Sequence, residues 1–442
     1  MGHRPAVPDR RSAATRIKMA QPQPCAVAGT RLRLDPARRN DDLARFRELM
    51  DRMVIGQRAA SDALADSMSR VLAGVGDPDS PVLSLMLMGP TGVGKTETVR
   101  CLAESLFGDR RAFTRVNCQE YSAHYNLSKL LGSPPGYVGG EIKPLLAQEN
   151  LERHHRDAIE EGRGMFNQNL QRLPRFDAEE GRYLSLICFD EIEKAHPKLW
   201  NLLLGILEDG VLVLGNNEEV NFTRSIIVLT TNVGSKSMGQ HLGHENIGFD
   251  GGFEDDQVDR DLREAAMREA KKVFPFEFLN RFDSLLTYDS LKRDHLFQIL
   301  DNLVSNVHLR SIDCTEPFLL RLDQSAKDEL VDRGTDPQFG ARSLRRAVEV
   351  NVVTPISHLI CSGQICRGDL VSVGFANGEF LFEKESDVMT ATEIEEFDSL
   401  REERERSRDL EGTDDGGEAN QIVEQIDDVV ARSKVFTGEP EV

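Results

Sequence analysis

Residues 89 to 96 read Gly-Pro-Thr-Gly-Val-Gly-Lys-Thr and directly follow the apolar run Val82 to Met88. This is the spacing of a phosphate cradle set between a buried strand and a helix. Gly89, Gly92 and Gly94 allow a tight turn whose N–H groups point inward at phosphate oxygens. Pro90, Thr91 and Val93 complete the loop, and a helix starting near Lys95 adds its positive end. Lys95 would put a cation on the β and γ phosphates of a nucleotide, and the Thr96 hydroxyl would ligate Mg²⁺.

A second apolar run, Leu186-Ile187-Cys188-Phe189, ends in Asp190-Glu191. Behind a complete phosphate loop, the first acid belongs in the Mg²⁺ shell. The second is placed to act as general base on the attacking water. Thr230-Thr231-Asn232 ends a further apolar run. The Asn232 amide either orients that water or caps the next turn.

The surrounding elements follow from periodicity. Asp41 to Met53 has helical spacing, and a second helix runs to about Val71. From Val82 onward apolar strands alternate with helices, at Leu83–Met88, Phe113–Asn117, Leu184–Phe189, Ser225–Thr230 and Ser284–Tyr288. Continuous apolar runs of this kind suit a parallel sheet covered on both faces. After Asp289 the texture changes to helices over 291–312 and 324–333 and, after Phe339-Gly340-Ala341-Arg342, another to about Leu359, with short β segments near 370–373 and 380–382. The expected fold class is α/β, a phosphate-loop domain over 41–288, then a small α+β domain over 289–384. Residues 385–442 are acidic, with one charge-paired helix expected near 393–409 and the rest disordered.

The chain has 442 residues and a formal charge of −20, from 54 basic and 74 acidic side chains. That balance speaks against a general nucleic-acid binder. The seven cysteines are scattered and form no C-x-x-C pair, as expected of reduced thiols in the core of a cytoplasmic protein. His154, His155, His241 and His244 lack ligand spacing and are expected at the surface. No apolar run reaches the ~18 residues that span a bilayer, so no membrane contact is expected. Residues 1–40 are Arg-rich and poor in acids, either a disordered basic tail or a transit peptide to an organelle matrix.

The order of segments resembles the ATPase module of the Clp class of AAA+ protein unfoldases, most like the second module of ClpA, ClpB and ClpC. The resemblance rests on Val54-Ile55-Gly56-Gln57, Gly89 to Thr96, Gly132-Ser133-Pro134-Pro135-Gly136-Tyr137-Val138-Gly139, Phe189 to Pro197, Thr231-Asn232-Val233-Gly234-Ser235, Phe278-Leu279-Asn280-Arg281-Phe282-Asp283 and Gly340 to Arg346. Together they span about residues 42 to 383.

The resemblance implies roles that spacing alone does not supply. Val54 and Ile55 would line an adenine pocket, and Asn232 would be the first sensor. Arg281 would be an arginine finger reaching the nucleotide of a neighbouring subunit, and Arg342 a second sensor. Both arginines would set positive charge where the transition state spreads negative charge. Tyr137, supported by Val138, would grip a polypeptide in the channel of a homo-oligomeric ring, a hexamer in the family. The cofactors implied are ATP and Mg²⁺, and the expected activity is ATP-driven unfolding of protein substrates.

Two features depart from the family. An extra piece, about residues 155–182, lies between the Tyr137 loop and Asp190. It is either a surface insertion or a substrate contact near the channel mouth. Ile247-Gly248-Phe249 sits in a polar loop. A similar tripeptide docks Clp unfoldases onto a ClpP-type peptidase, and local packing is its other reading. The activity is therefore expected to feed a peptidase or, alternatively, to remodel or disaggregate proteins without one. A nucleotide-switched scaffold with little unfolding activity is the third alternative.

Overall fold

The computed structural model describes residues 40–132, 143–233, 264, 266–312, 314, 316–335 and 340–385. The Tyr137–Val138 segment, the Ile247-Gly248-Phe249 tripeptide and both tails lie outside these residues.

Five parallel strands form the central sheet: β1 (Leu83–Met88), β2 (Thr114–Asn117), β3 (Ser185–Asp190), β6 (Ser225–Thr231) and β7 (Ser284–Thr287). Their order is β2-β3-β6-β1-β7. Every residue of β1, β3 and β6 is buried, as strands covered on both faces require.

Helices α1 (Asp41–Met53), α2 (Arg58–Ala73) and α3 (Lys95–Phe107) cover one face. Leu43, Phe46 and Met50 recur at helical spacing on α1 and enter that core with Leu85, Leu87, Leu102 and Leu106. The other face is covered by α4 (Leu127–Leu131), part of α5 (Gln148–Glu161), α7 (Pro197–Asp209) and the antiparallel hairpin β4 (Val211–Val213) and β5 (Glu219–Asn221). Helix α8 (Phe276–Leu279) joins this core through Phe278.

The extra piece is not a surface loop. It contains the end of α5 and the short helix α6 (Asn167–Leu170). Phe166, Leu170 and Phe176 are buried in the α1/α3 core, and Phe166 meets Phe46 edge-on at 5.6 Å. Burying one such ring contributes roughly 1.5–3 kcal/mol. The Asn169 side-chain amide donates to the Asp42 carboxylate at 2.8 Å. Leu127, Leu130 and Leu146, which flank the Tyr137 segment, pack on the opposite face of the sheet.

His155 is likewise a core residue rather than a surface one. It is 0% exposed, and its Nδ1 accepts from the Leu184 N–H at 2.7 Å. Phe107, Phe176 and Tyr183 surround the ring at 5.7 to 6.3 Å. Burial pulls its pKa from 6.5 down to about 4. Between those values the unfolded chain binds the proton and the folded one does not, so stability falls as pH drops from about 6.5 towards 4. The expected loss reaches about 3 kcal/mol near pH 4. Urea unfolding midpoints at several pH values measure it, and His155→Leu should flatten this part of the profile. An unchanged slope in that variant would reject the assignment.

The cysteines divide. Cys101, Cys118 and Cys188 are buried, but Cys361 and Cys366 are exposed, correcting the expectation of core positions; all five are free thiols.

Beyond β7 a third core forms around α9 (Arg293–Ile312), β8 (Leu319–Leu322), α10 (Gln324–Gly334), α11 (Ala341–Val348), α12 (Thr354–Cys361), β9 (Leu370–Ala376) and β10 (Glu379–Glu385). A π turn over Glu349–Val353 joins α11 to α12 in one continuous rod. Pro355, in the first turn of α12, lacks an N–H to continue the α pattern.

Candidate nucleotide site

The ends of three strands bring the site together. Met88 pairs with Thr231 across β1 and β6, and Phe189 pairs with Leu229 across β3 and β6. By that register Gly89 follows beside Asn232 and Asp190 beside Thr230, all at the carboxyl edge of the sheet. That edge is where open parallel sheets bind ligands.

Gly89 has φ +153, and a Cβ there would sit 2.7 Å from the Tyr288 carbonyl oxygen, so only glycine fits. Gly94, at φ 111, opens α3. The first-turn N–H groups of a helix have no partner within it, so this loop and turn present donors suited to an anion.

Lys95 is buried and donates from Nζ to the carbonyls of Gly89 and Pro90, at 2.7 and 2.5 Å, and to Asn232 Oδ1 at 2.9 Å. Burial pulls its pKa down to about 8, against the opposing charges of Glu193, Asp190 and Glu191; the positive charge of Arg342 adds to the fall. An ammonium held this way gains from any phosphate placed beside it.

Asp190 is buried and has both oxygens held. Oδ1 accepts from the Thr230 hydroxyl and Oδ2 from the Arg115 guanidinium, each at 2.5 Å. Glu191 adopts φ 57, ψ 54, a left-handed conformation costing roughly 1–2 kcal/mol for a non-glycine residue. Its N–H donates to Thr230 Oγ1 at 3.0 Å, and its carboxylate accepts from Asn232 Nδ2 at 3.1 Å. Glu193 accepts from the Asn232 N–H at 3.1 Å. The other Glu193 oxygen is buried without a hydrogen-bond partner among the described residues.

Two further segments close on the loop. Val54 and Ile55 are buried, and Val54 touches the cradle closely enough that a Cβ on Gly94 would lie 3.0 Å from it. Gln57 exchanges two hydrogen bonds of 2.9 Å with the backbone of Asp289, at the start of the third core. From that core, the Ala341 N–H donates to the Gly92 carbonyl at 3.2 Å. A Cβ on Gly340, at φ +53, would lie 2.7 Å from the Thr91 oxygen. The first turn of α11, which carries Arg342, is thus set against the cradle.

Arg281 stands elsewhere. Its carbonyl accepts from Ser84 Oγ at 3.3 Å, and the Asp283 carboxylate accepts from both Ser84 N and Oγ at 2.7 Å. Ser84 is at the amino end of β1, with Gly89 beyond its carboxyl end. Five residues of strand span about 16 Å. The guanidinium pairs with Glu208 near the end of α7.

The structure therefore joins Lys95, Asp190, Glu191 and Asn232 in one hydrogen-bonded network, and sets Val54, Ile55 and Arg342 around the same loop. It leaves Arg281 apart. Thr230, Arg115 and Glu193 belong to the network but were not singled out by sequence reasoning. For Thr230 a signal existed, since it lies two residues before Asn232 on a strand and so shares its face. The candidate donors, the Thr96 hydroxyl and the Asp190 carboxylate, are hard oxygens of the kind Mg²⁺ takes when it comes in with phosphates and waters.

The family model of the AAA domain (Cdc48 subfamily) matches residues 80–158 and 175–285. That of the C-terminal D2-small domain of ClpB matches residues 291–373. Among curated proteins, ClpC/MecB of Bacillus subtilis, a negative regulator of genetic competence, is 34% identical over 342 residues, which are 77% of this chain and 38% of that protein. The chaperone ClpB of Aquifex aeolicus is 35% identical over 343 residues, 77% of this chain and 30% of that one. The closed-state reconstruction of Hsp104 with ATPγS and FITC-casein superposes with a TM-score of 0.60 at 25% identity, covering 78% of this chain and 52% of that one. The chain thus belongs to the Clp class of AAA+ ATPases, of which it matches one ATPase module with its small domain. It spans about 38% of the length of ClpC/MecB. The stretch 159–174, unmatched by the AAA model, falls within the extra piece.

Proposed function

We propose that this protein is a ring-forming ATPase that unfolds polypeptides by threading them through a central channel. The observation that carries the reading is the network from Lys95 through Asn232 to Glu191, set against the small-domain helix α11. Lys95 and the loop amides hold the β and γ phosphates of ATP, and Val54 and Ile55 hold the base. Thr96 and Asp190 would hold Mg²⁺, which when bound neutralises charge on phosphate oxygens. Asn232 orients the Glu191 carboxylate, which takes a proton from the attacking water. Arg342 adds positive charge from the same chain, and Arg281 adds it to the site of a neighbouring copy.

Because α11 bonds to the cradle, a change at the phosphates is transmitted to the small domain and so to the ring. Tyr137 and Val138 grip the substrate, and an aromatic grip tolerates varied sequences. The Hsp104 reconstruction, held with a nucleotide analogue and casein, supports this reading.

Whether the unfolded chain passes to a peptidase separates two versions. Relatives named ClpC, ATP-binding subunit of a Clp protease, and ClpB, a chaperone, match at equal identity, 34%. We favour delivery to a ClpP-type peptidase through Ile247, Gly248 and Phe249.

The test is ATP-dependent loss of a stably folded fluorescent reporter, with and without such a peptidase. Degradation that needs both proteins and fails with Phe249→Ala supports delivery. Unfolding without degradation assigns a peptidase-independent remodeller. Tyr137→Ala is expected to keep ATP turnover and to lose reporter unfolding about tenfold or more. Normal unfolding by that variant rejects threading, and turnover without unfolding by the unaltered chain favours the scaffold.

A further inference from the structure

Asp190 has a cation on it that the proposed mechanism does not use. β2 and β3 run parallel with Arg115 opposite Cys188 and Asn117 opposite Asp190. Arg115 and Asp190 are thus diagonal neighbours on one face of the sheet, within reach of a long side chain. The guanidinium donates to Oδ2 at 2.5 Å while remaining half exposed, and the carboxylate is buried. The other oxygen is held by Thr230. Lys95, the other cation of the cradle, is bonded to carbonyls and to Asn232.

A divalent ion and a guanidinium on one carboxylate repel each other, so each weakens the hold of the other. Mg²⁺ needs a hard oxygen and does not adapt its geometry. Asp190 therefore holds each cation more weakly when the other is present. Arg115 is on an exposed edge strand and is free to leave, whereas Asp190 is fixed by Thr230 and by its strand.

We propose that Arg115 competes with the divalent metal for Asp190 and so sets the metal concentration at which the nucleotide site becomes competent. The proposal rests on Asp190 being the metal carboxylate. In this scheme Arg115 keeps the buried charge paired until nucleotide and metal arrive together. β2 leads through α4 towards the Tyr137 segment, so the swing of Arg115 starts on the strand that precedes the channel loop.

The experiment is a Mg²⁺ titration of fluorescent ATP-analogue binding to the full chain, read as the metal midpoint at fixed nucleotide. Arg115→Gln should lower that midpoint about three- to tenfold, the range of one exposed charge-assisted pair. Arg115→Lys, which keeps the charge, should stay closer to the unaltered chain. An unchanged or raised midpoint in Arg115→Gln overturns the proposal, as does weaker analogue binding at saturating Mg²⁺, which would place Arg115 on phosphate instead. Asp190→Asn separates the two levels. It should raise the metal midpoint, and an unchanged midpoint in this variant would end the reading of Asp190 before that of Arg115 is in question. Thermal melting of each variant without nucleotide confirms that it is folded.

Discussion

Glu191→Gln is expected to bind ATP with nearly unaltered affinity and to lose turnover by about 10²–10⁴-fold, the contribution of a positioned general base. Three local features support a loss this large. The Glu191 backbone is held in a left-handed conformation, its N–H is fixed by Thr230 at 3.0 Å and its carboxylate by Asn232 at 3.1 Å. Glutamine has the same shape and still accepts from Asn232 Nδ2, so the geometry survives while the proton acceptor is lost. Lys95 and the loop, which hold phosphate, are untouched. Steady-state ATPase assays with analogue binding measure both parts. Turnover within a few-fold of the unaltered protein would remove Glu191 from the base role, and loss of binding would mean the site had collapsed.

Arg281→Ala is expected to lower turnover by about 10³-fold or more, the effect of an arginine finger, with binding retained. The argument is one of distance. The Arg281 segment is tied to Ser84 at the amino end of β1, about 16 Å of strand from the cradle, too far for its side chain to serve the same chain's phosphates. Its partner in the same chain, Glu208, is a partly exposed carboxylate, and such pairs contribute at most about 1 kcal/mol, so Arg281 leaves it easily. A mixing experiment separates action on a neighbour from action at home. Arg281→Ala subunits retain Glu191, and Glu191→Gln subunits retain Arg281. Each alone is inactive, but mixed rings contain junctions with both groups intact and should recover part of the activity. Mixtures as inactive as their components would reject a finger acting between copies.

Much of this molecule is encoded locally and is readable without a structure. The cradle is eight consecutive residues behind a strand, so its chemistry and its place in the fold arrive together. β1 runs from Leu83 to Met88 and α1 from Asp41 to Met53, as periodicity predicts, because burial on both faces or on one stripe leaves a direct pattern in the residues. The short strands β4, β5 and β8 carry too few residues to show a period and exist through their partners. Val220 of the hairpin, for example, is buried only because it meets the second core.

What residue spacing leaves open is settled by packing between distant segments. His155 and the extra piece look polar and superficial in the chain, yet they enter the core because α1 and α3 offer an apolar face there. Arg115 and Asp190 are 75 residues apart, and Asp190 and Thr230 are 40 apart. They become partners through the register of three parallel strands, which no single segment contains. The type of chemistry is thus a property of short contiguous motifs, while the choice of which groups hold, orient and compete for the catalytic acids is made by strand order.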